Sequence, residues 1–434
     1  MSFFNPLNNE ENYRTIRELL AATSLPKVAK IRQTFPRPLL KDLPGALAEQ
    51  FRQTNIGERL KPGMTIAVAV GSRGVADLSI LVTETIKFLQ SQGTLPFIVP
   101  AMGSHGGATA EGQRDVLKNL GVTEETAGCP IRSSMEVVEL DRLPNGLPVY
   151  IDHFADKADG IVVINRVKPH TAFRGPSESG VVKMITIGLG KQKGAESCHA
   201  YSFRYMAENI VAMAKVVLAK KPVLFAVGTV ENAYDEVAKV LVIPAEKLVE
   251  TDQLLLKEAK KSMPGFPFKQ LDVLVIDRIG KDISGDGMDP NITGRYPTPY
   301  ASGGPEVSKM AVLDLTDRTH GNANGMGTAD FTTRKLIDKA NLYMTYANGL
   351  TSTVVTPTHM PTVLANDFDA IRAAVKTCNA LDMSQVRLAR IQDTLHLGEF
   401  LISEALLVEA RQSAAITILS EPSEMVFDST GNLC

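Results

Sequence analysis

The chain has 434 residues, 44% hydrophobic and 22% charged, with 46 Lys and Arg against 48 Asp and Glu for a formal net charge of -2. That length exceeds what a single hydrophobic core usually reaches, so two domains or one elaborated core are expected, and the balanced charge offers no field to gather nucleic acid or an anionic membrane. The opening stretch MSFFNPLNNEENYRTIRELL lacks the basic start and apolar run of a secretory signal, and no membrane-length apolar run occurs, so small-molecule chemistry in the cytoplasm is the expectation.

Apolar runs of strand length alternate with longer amphipathic segments, the pattern of an α/β protein with mainly parallel sheets. TIAVAVGSRG (65–74) predicts a strand entering a polar loop, and ADLSILVTETIKFLQSQG (76–93) a helix stopped by Gly93. LPFIVPAMGSHGGAT (95–109) repeats the scheme, with Thr109 opening the helix AEGQRDVLKNLG. In MEVVELDRLPNGLPVYIDHF, Asn145-Gly146 between extended runs predicts a hairpin. ADGIVVINRVKPH is a further buried strand, AYSFRYMAENIVAMAKVVLAKK a long helix, and PVLFAVGTVEN closes this half.

After the charged helix AEKLVETDQLLLKEAKKSM, the punctuation PGFPF near residue 266 marks the boundary, giving domains of 1–268 and 269–434 with the active site in the cleft between them. The second half opens with the strand LDVLVIDRIGKD and a long Gly-, Pro- and Asp-rich loop, ISGDGMDPNITGRYPTPYASGGP. KMAVLDLTD reads as another strand, and TADFTTRKLIDKANL and LGEFLISEALLVEARQ read as helices.

Loops leaving the carboxyl ends of parallel strands are where such sheets bind ligands. Two of the seven histidines stand there: His105 in GSHGGAT and His170 in VKPHT. Each ring is suited either to a structural role or to proton transfer near neutrality. SGVVKMITIGLGKQKGAESCH (179–199) puts Lys183 and His199 on either side of a glycine-rich run that reads as a flexible loop. It is no nucleotide-binding motif: Gly190-Lys191 is followed by Gln192, and Ile185 stands where a phosphate loop needs its first glycine. Lys183, flanked by GVV and MITI, is either a snorkelling lysine or a desolvated, nucleophilic amine that attaches a substrate or cofactor. His199 is either an ordinary helix-start residue or a metal ligand that needs other ligands from outside the chain, because no zinc motif accompanies it. The scattered Cys129, Cys198, Cys378 and Cys434 form no C-x-x-C pair and read as thiols without a metal or disulfide role.

Taken in order, VGSR, GSHGGAT, VKPHT and SGVVKMITIGLGKQKGAESCH resemble the nickel-dependent lactate racemase family and its 2-hydroxyacid racemase and epimerase relatives, over roughly residues 60 to 210. The resemblance implies a nickel-pincer nucleotide, a pyridinium-3,5-bisthiocarboxylic acid mononucleotide carrying Ni, tethered through Lys183 with His199 completing the nickel coordination. It further implies His105 and His170 as the acid/base pair, Gly103 and Ser104 against the cofactor, and Arg73 on the substrate carboxylate. Hydride would leave C2 of a 2-hydroxy acid and return to the opposite face. The implied partners are that small acid and the enzymes that assemble the cofactor, with no nucleic acid or membrane, and a homo-oligomer is compatible with the sequence.

The chain departs from its relatives in two places. Val70 stands where they carry an aspartate three residues before the arginine, and FRGPSES reads as extra material between His170 and Lys183. In the second half Lys281 and Arg295, with Asp286 and Asn291 between them, are the candidate substrate contacts, and their polarity favours a sugar acid or other polar substrate over lactate. A redox or lyase enzyme on the same cofactor, or a non-catalytic cofactor binder, are the competing readings.

Overall fold

A parallel strand covered on both faces must be apolar throughout, and Ile66 to Val70 meets that demand with every side chain buried. The computed structural model describes residues 10–71 and 74–434. The chain divides into two compact units, Pro36–Pro264 and Met1–Phe35 with Gly265–Cys434.

The strands are β1 (Val28–Gln33), β2 (Thr65–Val70), β3 (Leu95–Pro100), β4 (Val137–Arg142), β5 (Pro148–Asp152), β6 (Gly160–Arg166), β7 (Val223–Glu231), β8 (Val237–Pro244), β9 (Gln270–Ile276), β10 (Glu306–Val312), β11 (Phe331–Thr333), β12 (Thr362–Leu364), β13 (Leu388–Ile391), β14 (Glu399–Ser403) and β15 (Ile416–Ile418).

In the unit 36–264 the five-stranded sheet runs β3-β2-β6-β7-β8, parallel except for β8 at one edge. Ile66, Val68, Val70, Ile98, Val162 and Ile164 pack one face against Leu81, Ile86 and Leu89 of the helix Leu78–Ser91. From β2 the chain steps outward to β3, then crosses to β6 on the other side of β2. The order of strands therefore reverses beside β2, and the crevice at such a reversal is where an open α/β sheet receives a ligand. The loops carrying His105 and His170 leave the carboxyl ends of β3 and β6, flanking the loop that leaves β2. The expected hairpin is β4–β5.

The other unit carries the eight-stranded sheet β12-β11-β10-β9-β13-β14-β1-β15, parallel from β12 to β13 and antiparallel beyond. Its β1 differs from the sequence expectation of a first domain over 1–268. Ala29 and Ile31 are fully buried, and β1 pairs with β14 on one side and β15 on the other, which draws the first 35 residues into the unit of the second half. The observed break at Pro264/Gly265 lies within PGFPF.

Two expected helices begin as strands. In TADFTTRKLIDKANL, Phe331–Thr333 is β11 and the helix is Arg334–Lys339; in LGEFLISEALLVEARQ, Glu399–Ser403 is β14 and the helix is Glu404–Gln412. Thr333 illustrates the cause, because its hydroxyl accepts from Leu336 N and so ends a strand and caps a helix at one residue. Among the described residues no helix is long and apolar enough to cross a membrane.

Candidate active site

The segment from Lys183 to His199 is not the flexible loop that its glycines suggest. Val181–Lys183 is a helical turn, Met184–Gly188 a π-helical turn, and Lys191–His199 a helix, with Met184 to Lys191 wholly buried. π turns concentrate at functional sites. The glycines serve close packing: a Cβ on Gly190 would stand 2.4 Å from the Thr186 carbonyl oxygen, and one on Gly188 2.8 Å from that of Ala101.

The Lys183 turn is fixed from below by Asp252 of the helix Leu248–Ser262. Asp252 Oδ1 accepts from Val181 N at 2.8 Å, and a Cβ on Gly180 would collide with that oxygen. Burial pushes the Asp252 carboxyl up to about 6. Asn165, at the end of β6, donates to the Gly180 carbonyl at 3.0 Å and ties the same turn to the sheet.

Lys183 Nζ lies 2.7 Å from His170 Nε2. The backbone N–H of Ala172 donates to His170 Nδ1 at 3.0 Å, so a neutral ring carries its proton on Nε2. That proton faces the amine, and an amine that accepts it has its lone pair directed into the contact. Burial, and then the charge of Lys183, hold the His170 ring well below the usual imidazole range. The loop after His170 folds back on it. Glu178, buried, accepts from His170 N at 2.7 Å and from Lys260 Nζ at 2.7 Å, while Arg174 donates to the His170 carbonyl at 2.6 Å. FRGPSES is therefore the segment that holds His170, a role its sequence did not announce.

His199 ends its helix with Nδ1 2.5 Å from the Ala195 carbonyl oxygen. A carbonyl only accepts, so Nδ1 carries the proton and Nε2 keeps its lone pair, the form in which imidazole binds a metal. Burial pushes this ring down to about 4. Phe203 contacts both rings, with centroids 5.1 Å from His199 and 5.9 Å from His170, and Phe173 stacks obliquely on His170 at 4.4 Å. The three candidates Lys183, His170 and His199 thus share one apolar, aromatic-lined setting.

The His105 loop packs against the same segment. Gly103 N donates to the Gly188 carbonyl at 3.3 Å, its carbonyl accepts from Gln113 at 2.8 Å, and Ser104 and His105 beside it are half-buried. Arg73 lies outside the described residues. Further along the same loop, Glu231 at the end of β7 accepts from Ala76 N at 2.7 Å and pairs with Arg166, so a buried carboxylate does reach this stretch even though Val70 replaces the relatives' aspartate.

Residues 37–210 match the lactate racemase N-terminal domain. The lactate racemase match spans Arg73, His105, His170, Lys183 and His199, and starts one residue inside the unit 36–264. Among solved structures the chain is similar to the lactate racemase apoprotein from Thermoanaerobacterium thermosaccharolyticum, at 13% identity over 90% of this chain and 97% of that one, with a TM-score of 0.46. No curated protein sequence matches it.

Lys281 and Arg295 belong to the other unit. Lys281 Nζ donates to the Gly285 carbonyl at 2.5 Å within its own loop. Arg295 donates to Asp330 Oδ2 at 2.9 Å and to the Val307 and Ser308 carbonyls at 3.1 and 2.9 Å, bonds that tie the long loop to β10. Asn291 donates to Asp289 Oδ1 at 2.8 Å, and Asn324 reaches Asp286 Oδ1 at 3.5 Å.

Proposed function

We propose that the protein is a racemase or epimerase that inverts C2 of a 2-hydroxy acid, using a nickel-pincer nucleotide tethered at Lys183. The observation that carries this reading is the 2.7 Å contact between Lys183 and His170, beside a His199 whose Nε2 is left open and whose ring shares Phe203 with His170, within the segment that matches the lactate racemase N-terminal domain.

The donor set fits the cofactor. Among the described residues no three His, Cys, Asp or Glu side chains gather as a metal group, so a metal on His199 would need ligands brought from outside the chain, which the sulfur arms of a pincer nucleotide supply. When bound, that cofactor would accept hydride from C2 and return it. Lys183 would hold it covalently, an amine role consistent with the Nε2–H of His170 facing its nitrogen. His199 would offer Nε2 as a ligand, already neutral because its proton affinity is so low.

The protein's own chemistry is proton transfer. His105 would take the proton of the substrate's C2 hydroxyl as the carbon loses hydride, and His170, which carries its proton on Nε2, would return one to the oxygen when hydride comes back to the other face. Two loops from β3 and β6 suit that division because they approach from either side of β2. Arg73, on the loop after β2, would take the substrate carboxylate. A hydroxylated acid such as a sugar acid is the substrate proposed, on the polarity of the sequence from Lys281 to Arg295 alone.

The test is the intact mass of protein produced beside the cofactor-assembly enzymes. A nucleotide-sized adduct that is absent from Lys183→Ala, with epimerisation of a 2-hydroxy acid on chiral chromatography, is the expected result. Bare chain masses in a host that loads a known lactate racemase would end the assignment. Accumulation of a keto acid or a dehydrated product would move it to redox or lyase chemistry.

A further inference from the structure

Lys191 has no part in the chemistry above, yet among the described residues it is the one buried lysine. Its side chain is wholly buried, and its backbone sits at a φ of 56°, a left-handed conformation that a non-glycine residue adopts only under constraint. Burial pushes its amine toward the neutral form despite Asp152 Oδ2 at 3.3 Å, and pushes the Asp152 carboxyl up as well. A buried ion pair of this kind can often be replaced by apolar residues without loss of stability, so stability alone does not account for it.

Its partners say what it does. Lys191 Nζ donates to the carbonyl of Pro100, the last residue of β3, and to Gln113 Oε1 at 3.0 Å. Gln113, itself fully buried, turns its amide nitrogen to the Gly103 carbonyl at 2.8 Å and the His105 carbonyl at 3.3 Å. An unbroken chain of hydrogen bonds therefore runs from the first residue of the His199 helix, through Lys191 and Gln113, to the backbone of His105. Asp152 completes it on the far side by accepting from Phe154 N and Ala155 N at 2.8 and 3.0 Å.

We propose that Lys191 and Gln113 form a buried strut that sets the His105 loop against the Lys183–His199 segment, making both positioning residues for proton transfer at His105. The strut holds the His105 backbone rather than its ring, so its loss displaces the imidazole without removing it. The catalytic part of the proposal rests on the proposed function; the structural part does not.

Both parts are read in one experiment on the full chain. The variants are Lys191→Met combined with Asp152→Asn, which removes the pair without leaving a lone charge, and Gln113→Glu, which keeps an acceptor for Lys191 but has no N–H for the two carbonyls. In the apoprotein, hydrogen exchange followed by mass spectrometry is expected to run roughly tenfold faster in peptides covering 101–109, with the Leu78–Ser91 helix unchanged. In the loaded enzyme the adduct on Lys183 persists, kcat falls roughly ten- to a hundredfold, and KM stays within about threefold. Unchanged exchange over 101–109 in either folded variant overturns the strut whether or not the enzyme is a racemase. Faster exchange with wild-type kcat overturns the positioning role. A wild type that takes no adduct and turns over nothing, beside the expected exchange, overturns the catalytic part with the proposed function and leaves the strut established.

Discussion

The Asp252 carboxyl is buried beneath the turn that carries Lys183, where it accepts backbone N–H bonds yet titrates near 6 because burial outweighs them. A carboxyl raised in the fold favours folding while protonated, so its contribution is full at acid pH and is lost as pH climbs from about 4 through 6. The His199 and His170 rings act in the opposite sense. The His199 ring falls to about 4 in the fold, so its contribution is present above the ordinary histidine value near 6.5 and disappears as pH drops toward 4. The two trends cancel in part between pH 4 and 6. Asp252→Asn keeps an acceptor for Val181 N and deletes only the acid's titration. Denaturant titrations at several pH values should show the variant gaining about 2 kcal/mol relative to wild type between pH 4 and pH 7. A difference independent of pH would mean that the carboxyl is not perturbed.

At the scale of elements, the His105 loop joins β3 to the helix Ala110–Asn119 through two glycines with nearly the same backbone and different surroundings. Gly106 has a φ of 66° and a Cβ there would stand 2.6 Å from Gln113 N; Gly107 has a φ of 65° and nothing within 4 Å. Gly107→Ala should therefore carry only the left-handed penalty, about 1 kcal/mol, whereas Gly106→Ala must also push the helix from the loop and should cost about 3 kcal/mol or more. Equal losses in chemical denaturation would show that the loop yields freely. The loop's position after a strand and Thr109 as the helix cap were legible in the sequence, because apolar runs and capping hydroxyls act locally. The π turn was not, since glycines at 188 and 190 read alike whether they loosen a loop or let helices touch. Glu178, Gln113 and Lys191 were likewise missed as functional residues: each acts through partners 8 to 91 positions away, a distance no periodicity encodes.

For the whole molecule, the sheet that contains β1 explains why a boundary read from composition found one end of the inserted unit and not the other. PGFPF marks a break with its own turn residues, whereas β1 leaves its sheet at Gln33 with no signal except a pairing made with strands some 370 to 390 residues later. The two crossing points are adjacent, since Gln33 Nε2 donates to the Gly265 carbonyl at 3.1 Å. The unit 36–264 is thus inserted into the other unit at neighbouring chain ends, the arrangement that domain insertion tolerates. Two consequences separate cleanly. A chain that joins Phe35 to Gly265 through a short Gly/Ser linker keeps β1 between β14 and β15 and should unfold in one cooperative transition. Residues 265–434 alone lose that strand, leaving β15 without its sheet partner and an open edge on β14, and should aggregate or unfold without a transition. Cooperative unfolding of 265–434 by itself would mean that β1 decorates this sheet rather than completing it.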